Sequence, residues 1–470
     1  MASGINSSTM TAPPPTKAGY HFPPGLKHNL VWYVYRKFRP FDPISLFQYL
    51  AAEYGDIAHY KIGTQHILFL NRPEYIREVL VVQNDKFVKE RTVQRMKMLL
   101  GEGMINSEGQ QHRAQRKAAQ PAFHRQRIAA YAEVMTAEAC RLSDGWRDGS
   151  QLDSATEMMQ LTLRIVSKTL FNTELGEEVE KLTDAINRIM GLYNYLVALP
   201  AVELLVHLRV PGIADFAPAK RKVDSVVYKM IDAHRRRGEP SGDLLDMMLR
   251  AEEEMPELAG TRQQSLRDQV TTIFLAGYET VANALIWTWY LLSQNPEAEQ
   301  ALHAEIDREL GGKTPTMDDL PRLRYTEAVL AESMRLYPPA WAMGRRARED
   351  FSLGEYRLPA GTTVLVSQFV THRDARHFVE PERFVPERFL AGGRNTFPKF
   401  TYFPFGAGAR QCIGESYAWM ECALVLTTLA QKWRLRLVPG QRIEPQALIT
   451  LRSKYGMRMQ VEARQPVGGI

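Results

Sequence analysis

A glycine-built loop that carries one cysteine, residues 405–414 (FGAGARQCIG), most constrains how this chain can fold. Its glycines at 406, 408 and 414 lack a Cβ, so the backbone can adopt positive φ and leave room for a flat ligand. Residues 415–430 follow with a helical pattern, which places Cys412 near a helix N-terminus. Backbone amides and the helix dipole favour a thiolate there, and a thiolate suits a soft metal. The alternative interpretation is a structural cysteine in a glycine-rich turn.

Three further motifs accompany this loop. Residues 276–280 read AGYET, residues 332–335 read ESMR, and PERF occurs twice, at 381–384 and at 386–389. Together with the cysteine loop they resemble the motifs of the cytochrome P450 family, in the family's order. Recognisable sequence covers roughly residues 20–460. On these motifs the chain is identified as a member of that family, of the soluble bacterial type.

The resemblance implies an α+β fold class, mainly α with a smaller β-rich lobe, that holds haem b. It also implies a haem-thiolate monooxygenase in which the Cys412 thiolate is the axial ligand of the iron. One atom of O2 would be inserted into a hydrophobic small molecule such as a fatty acid, a terpenoid or a steroid-like compound. No flavin, nicotinamide or ferredoxin pattern is fused to the chain. Electrons are therefore expected from a separate ferredoxin or flavodoxin-like donor with its reductase.

Two alternative functions stay open at the level of the sequence. A peroxide-driven peroxygenase or a redox-neutral isomerase of the same fold would need no electron donor. A non-enzymatic haem or ligand-binding sensor would oxidise no substrate. Relatives of the first kind often lack the family's acid–alcohol pair, which this chain retains as Glu279 and Thr280.

The apolar helix predicted at 263–296 carries the residues of the oxygen side. The resemblance implies an oxygen-binding groove at Ala276 and Gly277, whose small size allows a flat cofactor to approach closely. Glu279 and Thr280 follow as the catalytic pair, because proton delivery in a water-poor pocket needs a carboxylate and a hydroxyl. The alternative is that Glu279 forms a structural salt bridge and that Thr280 hydrogen-bonds its own helix backbone.

The resemblance assigns further residues to haem binding and to a buried ion cluster. The two haem propionates need cationic partners, preferably the forked guanidinium of arginine. The cofactor-binding candidates are His112, Arg116, Arg345, Phe405, Arg410 and Gly414. The structural cluster is Glu332, Arg335 and Arg388, with Arg383 from the first PERF copy as the alternative third member.

Substrate-facing residues are also placed by the resemblance, and all of them are small or apolar. The candidates are Met104, Ile105, Leu275, Ala276, Ala340, Ala342, Met343, Leu448 and Ile449. Residues 192–211 correspond to the family's mobile lid. Their apolar character is compatible with a channel lining, a peripheral membrane contact or plain core packing.

Composition and charge narrow the compartment and the partners. Of the 470 residues 45% are hydrophobic, which is enough for a substantial core. Cys140, Cys412 and Cys422 are the only cysteines, so no disulfide framework is expected and a reducing cytoplasm is the default. No run of about 18 apolar residues is present, which favours a soluble protein. The net charge of +6 is spread along the chain, and the run 234–237 (HRRR) is typical of a solvated helix end, so we expect no nucleic-acid binding. The protein is also expected to be a monomer.

A single haem-thiolate domain is predicted for residues 26–470, after a flexible proline-rich segment at 1–25. No glycine- or proline-rich linker divides the chain after about residue 30. Strand-like alternation predicts a β-rich lobe from about 50–85, 354–370 and 433–462, and the remainder forms the helical lobe.

Overall fold

The computed structural model describes residues 19–27, 42–198, 214–237, 242–254, 262–393 and 397–464. The chain forms two compact units. The first unit comprises Met1–Glu90, Ala342–Thr371 and Ala407–Arg410, and the second comprises Arg91–Trp341, His372–Gly406 and Gln411–Ile470.

Helices dominate the described ranges and short strands are interspersed among them, as the α+β prediction requires. The strands, numbered in chain order, are β1 (Ile57–Ile62), β2 (Gln65–Leu70), β3 (Phe87–Lys89), β4 (Gln151–Asp153), β5 (Met343–Ala347), β6 (Phe351–Leu353), β7 (Tyr356–Leu358), β8 (Thr363–Val366), β9 (Trp433–Leu437), β10 (Pro445–Ala447), β11 (Leu451–Ser453) and β12 (Arg458–Ala463). The α-helices are α1 (Pro43–Tyr54), α2 (Pro73–Arg77), α3 (Arg91–Arg95), α4 (Lys97–Leu100), α5 (Gly109–Ala119), α6 (Arg125–Gly145), α7 (Ser154–Phe171), α8 (Glu178–Ala198), α9 (Phe216–Arg237), α10 (Leu244–Glu254), α11 (Arg262–Gln294), α12 (Pro296–Leu310), α13 (Arg324–Leu336), α14 (Gln368–Thr371) and α15 (Glu415–Lys432).

A five-stranded sheet forms the first unit, in the order β1-β2-β8-β5-β3. Strands β1 and β2 pair antiparallel as a hairpin, and Gly63 turns the chain between them with φ of 59°. Within the five-stranded sheet, the neighbouring strands β2 and β8 run parallel. Residues 19–25, predicted to be flexible, instead form two isolated β-bridges. His21 pairs with Arg357, and Gly25 pairs with His59 of β1. The rest of the proline-rich segment, residues 1–18, lies outside the described residues.

The strands of the C-terminal segment 433–462 do not join this sheet, so their assignment to one lobe with 50–85 and 354–370 is wrong. In the second unit β9 and β12 pair with β4 in a three-stranded sheet, and β10 pairs with β11. Met459 of β12 lies opposite Leu152 on one side and Leu437 on the other. The strand β4 has only three residues, too few to show alternation in a sequence.

Helix α11 runs through the core of the second unit. It has 33 residues, and its large side chains, including Phe274, Tyr278, Trp287 and Trp289, are almost completely buried. A helix that is apolar on all sides is stable in water only when other elements cover it. Among the described residues, no helix is long and apolar enough to cross a membrane. The lid segment 192–211 is described only as far as residue 198.

Candidate active site

The cysteine loop turns at two of its three glycines. Gly406 and Gly408 have φ of 71° and 70°, as predicted. Gly414 has φ of −90° and precedes helix α15, so it does not need a left-handed backbone. The loop is closed by the amide of Cys412, which donates to the carbonyl of Phe405 at 3.0 Å.

Gly408 is required by packing within the first unit. A Cβ at this position would lie 2.1 Å from the carbonyl oxygen of Leu80, in the π-helical segment Glu78–Val82. No larger residue fits without moving backbone. The glycine therefore shapes the loop through its protein neighbour, whereas the sequence suggested contact with a flat ligand.

The thiol of Cys412 is solvent-exposed and unpaired with another cysteine. Burial of the sulfur and, to a smaller extent, the neighbouring Glu415 raise its pKa to about 11. The amide of Gly414 and the charge of Arg116 lower it, but by less. The amide of Gly414 acts in the predicted direction, toward the thiolate, but in the protein without a bound metal the effect of burial is larger.

Helix α5 supplies two of the haem-binding candidates. Arg116 donates from Nη1 to the carbonyl of Gln411 at 2.7 Å, directly beside Cys412. His112, one turn earlier on the same helix, is buried with 6% of its surface exposed. Arg113 and Lys117 are exposed on the solvent side of the helix. Helix α5 therefore presents Arg116 to the cysteine loop, and Arg113 and Lys117 to solvent.

The other two cationic candidates belong to the first unit. Arg345 is buried on β5, opposite Lys89 of β3 and Val364 of β8, and donates from Nη1 to the carbonyl of Gly344 at 2.9 Å. Arg410 is half-buried in the short 3-10 turn Gly408–Arg410. Among the remaining candidates, Phe405 packs in the second unit with its ring centroid 5.8 Å from that of Trp419.

One accessible face interrupts the buried helix α11. Between residues 266 and 289 every side chain is buried except those of Ala276, Gly277 and Thr280. Residues at i, i+1 and i+4 lie on one side of a helix. A Cβ on Gly277, however, would lie 2.9 Å from Cγ2 of Val166 in α7. Gly277 is therefore needed for helix packing, while Ala276 and Thr280 provide most of the accessible groove.

Glu279 and Thr280 make the contacts of the structural alternative. Glu279 is 2% exposed, accepts from Nε of Arg452 at 2.9 Å, and also accepts from the hydroxyl of Thr450. Thr280 donates from its hydroxyl to the carbonyl of Ala276 at 2.8 Å. The two side chains predicted to act together thus have separate partners. Thr280 stays on the accessible face, and Glu279 points into an ion pair.

Arg452 is a site residue that the sequence did not reveal. Its Nη1 donates to Asn187 of α8 at 2.9 Å, so the guanidinium links α8 to α11 through Glu279. Its side chain is only 11% exposed. No local signal marks Arg452, because it sits in a three-residue strand and its partners lie far away in the sequence.

Several substrate-pocket candidates meet along α11. The amide of Met104 donates to Oε1 of Gln269 at 3.3 Å, two turns before Ala276. On the other side, the carbonyl of Leu448 accepts from Nε1 of Trp341 at 2.8 Å. The side-chain amide of Asn283 on α11 donates to the hydroxyl of Thr450 and so connects this turn to the helix. Leu275 and Ala276 lie on α11 itself, and these contacts bring Met104 and the turn that holds Leu448 and Ile449 to the same helix. Ala342 and Met343 lie at the start of β5 in the first unit.

The buried ion cluster has the predicted members. Arg335 binds Glu332 through two hydrogen bonds of 2.7 and 2.8 Å, and neither side chain is exposed. Arg388 donates to the same carboxylate at 3.0 Å. Arg383 instead pairs with Glu380 at the surface. The second PERF copy therefore supplies the third member, and the first supplies only backbone carbonyls, at Pro381 and Arg383, that accept from Arg335.

Comparison with known proteins identifies the family. Residues 23–456 match the sequence model of the family described as Cytochrome P450. The chain belongs to the cytochrome P450 family. It is 37% identical to cyclooctatin synthase of Streptomyces melanosporofaciens over 408 residues, which cover 86% of this chain and 88% of that protein. It is also 37% identical to cyclooctat-9-en-7-ol 5-monooxygenase of the same organism, over 84% of this chain and 86% of the relative. Pentalenene oxygenase of Streptomyces avermitilis is 33% identical, over 90% and 94% of the two chains.

As a cytochrome P450, the protein binds haem b through a cysteine thiolate and is a monooxygenase of hydrophobic small molecules. It uses O2 and electrons from a redox partner. The residues of the second unit fit such a group: an accessible thiol, a guanidinium beside its loop, and a helix face of small residues. The predicted haem cofactor and monooxygenase class are confirmed at the level of the family.

Proposed function

We propose that this cytochrome P450 hydroxylates a cyclic terpenoid, with Cys412 as the axial ligand of the haem iron and the face formed by Ala276 and Thr280 as the oxygen side. The observation that carries the proposal is the accessible face at Ala276 and Thr280 within the buried stretch 266–289 of α11, together with an accessible thiol in the same unit. When bound, thiolate-ligated haem supplies the reductive activation of O2.

His112, Arg116, Arg345 and Arg410 are proposed to bind the haem propionates. Arg116 supports this assignment best, because it already fixes the carbonyl of Gln411 beside the cysteine. Arg345 and His112 are buried side chains whose N–H groups can donate to a carboxylate such as a propionate. These residues hold and orient the cofactor and take no part in proton transfer.

Thr280 is proposed as the residue that delivers protons on the oxygen side. Its hydroxyl donates to the carbonyl of Ala276, so its oxygen can still accept a hydrogen bond from water or substrate. Glu279 is buried away from this face and accepts hydrogen bonds from Arg452 and Thr450. We therefore assign Glu279 an indirect role, in which Arg452 and Thr450 fix the position of its carboxylate while Thr280 contacts the reacting groups.

The substrate class is inferred from the relatives and from the lining. The names of two relatives specify cyclooctat-9-en-7-ol and pentalenene as their substrates. The proposed lining residues of the second unit carry no charge, and Met104, Leu275 and Leu448 are buried apolar side chains. A largely hydrocarbon ring system, with at most one or two hydroxyl groups, matches this lining better than a fatty acid, whose carboxylate needs a cationic partner.

The electron donor is proposed to be an acidic ferredoxin or flavodoxin-like protein with its own reductase, acting on a monomeric enzyme. Exposed Arg113 and Lys117 on α5 support this choice, because the same helix carries Arg116 beside the cysteine loop. The apolar composition of 192–211 supports a peripheral membrane contact as a further proposal. Residues 199–211 of that segment lie outside the described ranges.

A reconstituted turnover assay tests the proposal. The purified holoenzyme, a surrogate ferredoxin and its reductase are supplied with cyclic terpene hydrocarbons, cyclic terpene alcohols, fatty acids and steroids. We expect a substrate-induced spectral shift and a hydroxylated product with a terpene. Products from fatty acids or steroids alone would contradict the substrate class. Equal rates with peroxide in place of the donor would contradict the donor-dependent mechanism and favour a peroxygenase.

A further inference from the structure

A buried cluster of one histidine and two aspartates lies in the second unit, on helices that carry none of the residues assigned above. His234 belongs to the last turn of α9, and Asp243 and Asp246 lie at the start of α10. Their exposed fractions are 7%, 6% and 8%. The sequence predicts a solvated helix end here. Arg235 is exposed as expected, but His234 points inward.

Helix capping explains part of this cluster. Asp243 accepts from the amide of Asp246 at 3.0 Å through Oδ1, and Asp246 accepts from the amide of Gly242 at 2.5 Å through Oδ2. The other oxygen of Asp246 lies 2.5 Å from Nε2 of His234, a hydrogen bond that fixes the imidazole ring. These contacts account for the backbone of α10 and for one of the two ring nitrogens.

The second ring nitrogen is not explained by capping. Nδ1 of His234 is buried and has no hydrogen-bond partner among the described residues. It points toward Oδ2 of Asp243 at 3.6 Å, beyond hydrogen-bond distance. Two ligand atoms on a tetrahedral zinc ion, each about 2.1 Å from it, lie about 3.4 Å apart. A metal-bound histidine commonly donates its other N–H to a carboxylate, as Nε2 does here to Asp246.

We propose that His234 and Asp243 bind a divalent transition-metal ion, with Asp246 as the carboxylate that orients the imidazole. One imidazole and one carboxylate suit Zn²⁺ better than Mg²⁺ or Ca²⁺, which prefer oxygen ligands. Water completes the coordination. Arg127 lies close to Gly242 and contributes a positive charge, which weakens the site. The ion ties the end of α9 to the start of α10, and it is independent of the haem and of the proposed function.

Metal analysis of the untagged, haem-loaded enzyme tests this proposal. The protein is stripped with a chelator, loaded with Zn²⁺ and dialysed, and its zinc content and zinc affinity are measured by mass spectrometry of metals and by calorimetry. We expect one zinc per chain. We expect His234→Gln and Asp243→Asn to abolish that binding and Asp246→Asn to weaken it about 10–100-fold. Zinc should raise the Tm of the wild type and leave that of His234→Gln unchanged.

Two controls separate this site from adventitious binding. Asp232→Asn changes an exposed carboxylate on the same helix and should retain the zinc. His66→Gln disrupts the pair His59 and His66, whose ring nitrogens lie 2.9 Å apart and could bind zinc adventitiously. This variant should also retain the zinc. A wild type that holds no zinc, or zinc that survives His234→Gln and disappears in His66→Gln, would overturn the proposal. The haem spectrum of each variant confirms that it is folded.

Discussion

At the scale of single residues, Cys412 shows two effects that oppose each other at one thiol. The amide of Gly414 and the charge of Arg116 lower its pKa, and burial with Glu415 raises the pKa to about 11. The raising effects dominate in the protein alone, so the thiolate depends on coordination. A residue can therefore be well placed for metal binding and still be protonated without the metal.

Substitution of Cys412 by alanine tests the ligand assignment. We expect Cys412→Ala to fold but to lose, in the reduced carbon-monoxide complex, the Soret band position typical of thiolate ligation. Cys422→Ala removes a buried free thiol at the eighth residue of α15 and serves as the control. The assignment is wrong if Cys412→Ala keeps that band or if Cys422→Ala loses it.

Thr280 and Thr288 form a matched pair on α11. Each hydroxyl donates to the carbonyl four residues earlier, at 2.8 Å for Thr280 and 2.7 Å for Thr288, but only Thr280 is on the accessible face. We expect Thr280→Ala to keep its haem and substrate affinity but to turn more of the consumed reductant into peroxide. The measurement is product formed per reduced cofactor. Equal coupling in Thr280→Ala, Thr288→Ala and the wild type would leave Thr280 a packing role only.

At the scale of elements, the Glu332 cluster connects α13 to the segment that leads to the cysteine loop. Arg335 donates to Glu332 and to the carbonyls of His372, Pro381 and Arg383, so one guanidinium fixes several turns of irregular backbone. Such a cluster holds a loop that has no regular hydrogen-bonding pattern of its own.

Removal of one buried partner should therefore be severe. We expect Arg335→Ala to lower the free energy of unfolding by about 3–5 kcal/mol, because it leaves the carboxylate of Glu332 buried with less compensation. Arg383→Ala removes an exposed ion pair and should leave the free energy of unfolding nearly unchanged. Urea unfolding and haem content measure both. Equal losses in the two variants would contradict the structural role of the buried cluster.

At the scale of the whole molecule, two buried histidines, His303 and His372, and the half-buried His59 make the protein sensitive to acid. Burial and, to a smaller extent, nearby cations lower the pKa of His59, His303 and His372 to about 3. In the unfolded chain these groups titrate near 6.5. Their stabilisation is complete above pH 6.5 and is lost as the pH falls from 6.5 toward 3, because only the unfolded state binds the protons.

A pH series of unfolding experiments measures this loss. At pH 5.5 each histidine should cost about 1.4 kcal/mol, or about 4 kcal/mol for the three. His303→Gln should reduce the slope by about one third. His124→Gln, at an exposed position, should leave it unchanged. A free energy of unfolding that is constant from pH 7 to pH 5.5 would show that these side chains are hydrated or protonated in the folded state.

The charge of the surface near the cysteine loop should control electron delivery. We expect the double change Arg113→Glu and Lys117→Glu to slow the first electron transfer from an acidic donor without altering substrate affinity. The effect should shrink as salt rises, because the Debye length is about 8 Å at physiological ionic strength. Stopped-flow reduction at several salt concentrations measures it. Arg235→Glu with Arg236→Glu, exposed on α9, is the control, and an equal effect there would exclude a specific docking face on α5.

Much of the site could be predicted from the sequence because its motifs are local. The loop around Cys412, the pair Glu332 and Arg335 at i and i+3, and the accessible face of α11 each depend on residues within a few positions of one another. Local geometry fixes how such residues point once a helix or a turn forms. The choice of Arg388 over Arg383 was also correct, and it rested on the family's spacing to the cysteine loop.

The remaining decisions were made by contacts between distant segments. Arg452 reaches Glu279 across 173 positions, and β12 finds β4 rather than the first unit's sheet. The sequence by itself determined the family, the cofactor class and the elements that carry the site. Only the tertiary structure decided that Glu279 forms an ion pair, that Gly408 is needed for packing and that His234 is buried. Ion pairing and burial depend on the three-dimensional neighbours of a side chain, and these are not encoded in any short stretch of sequence.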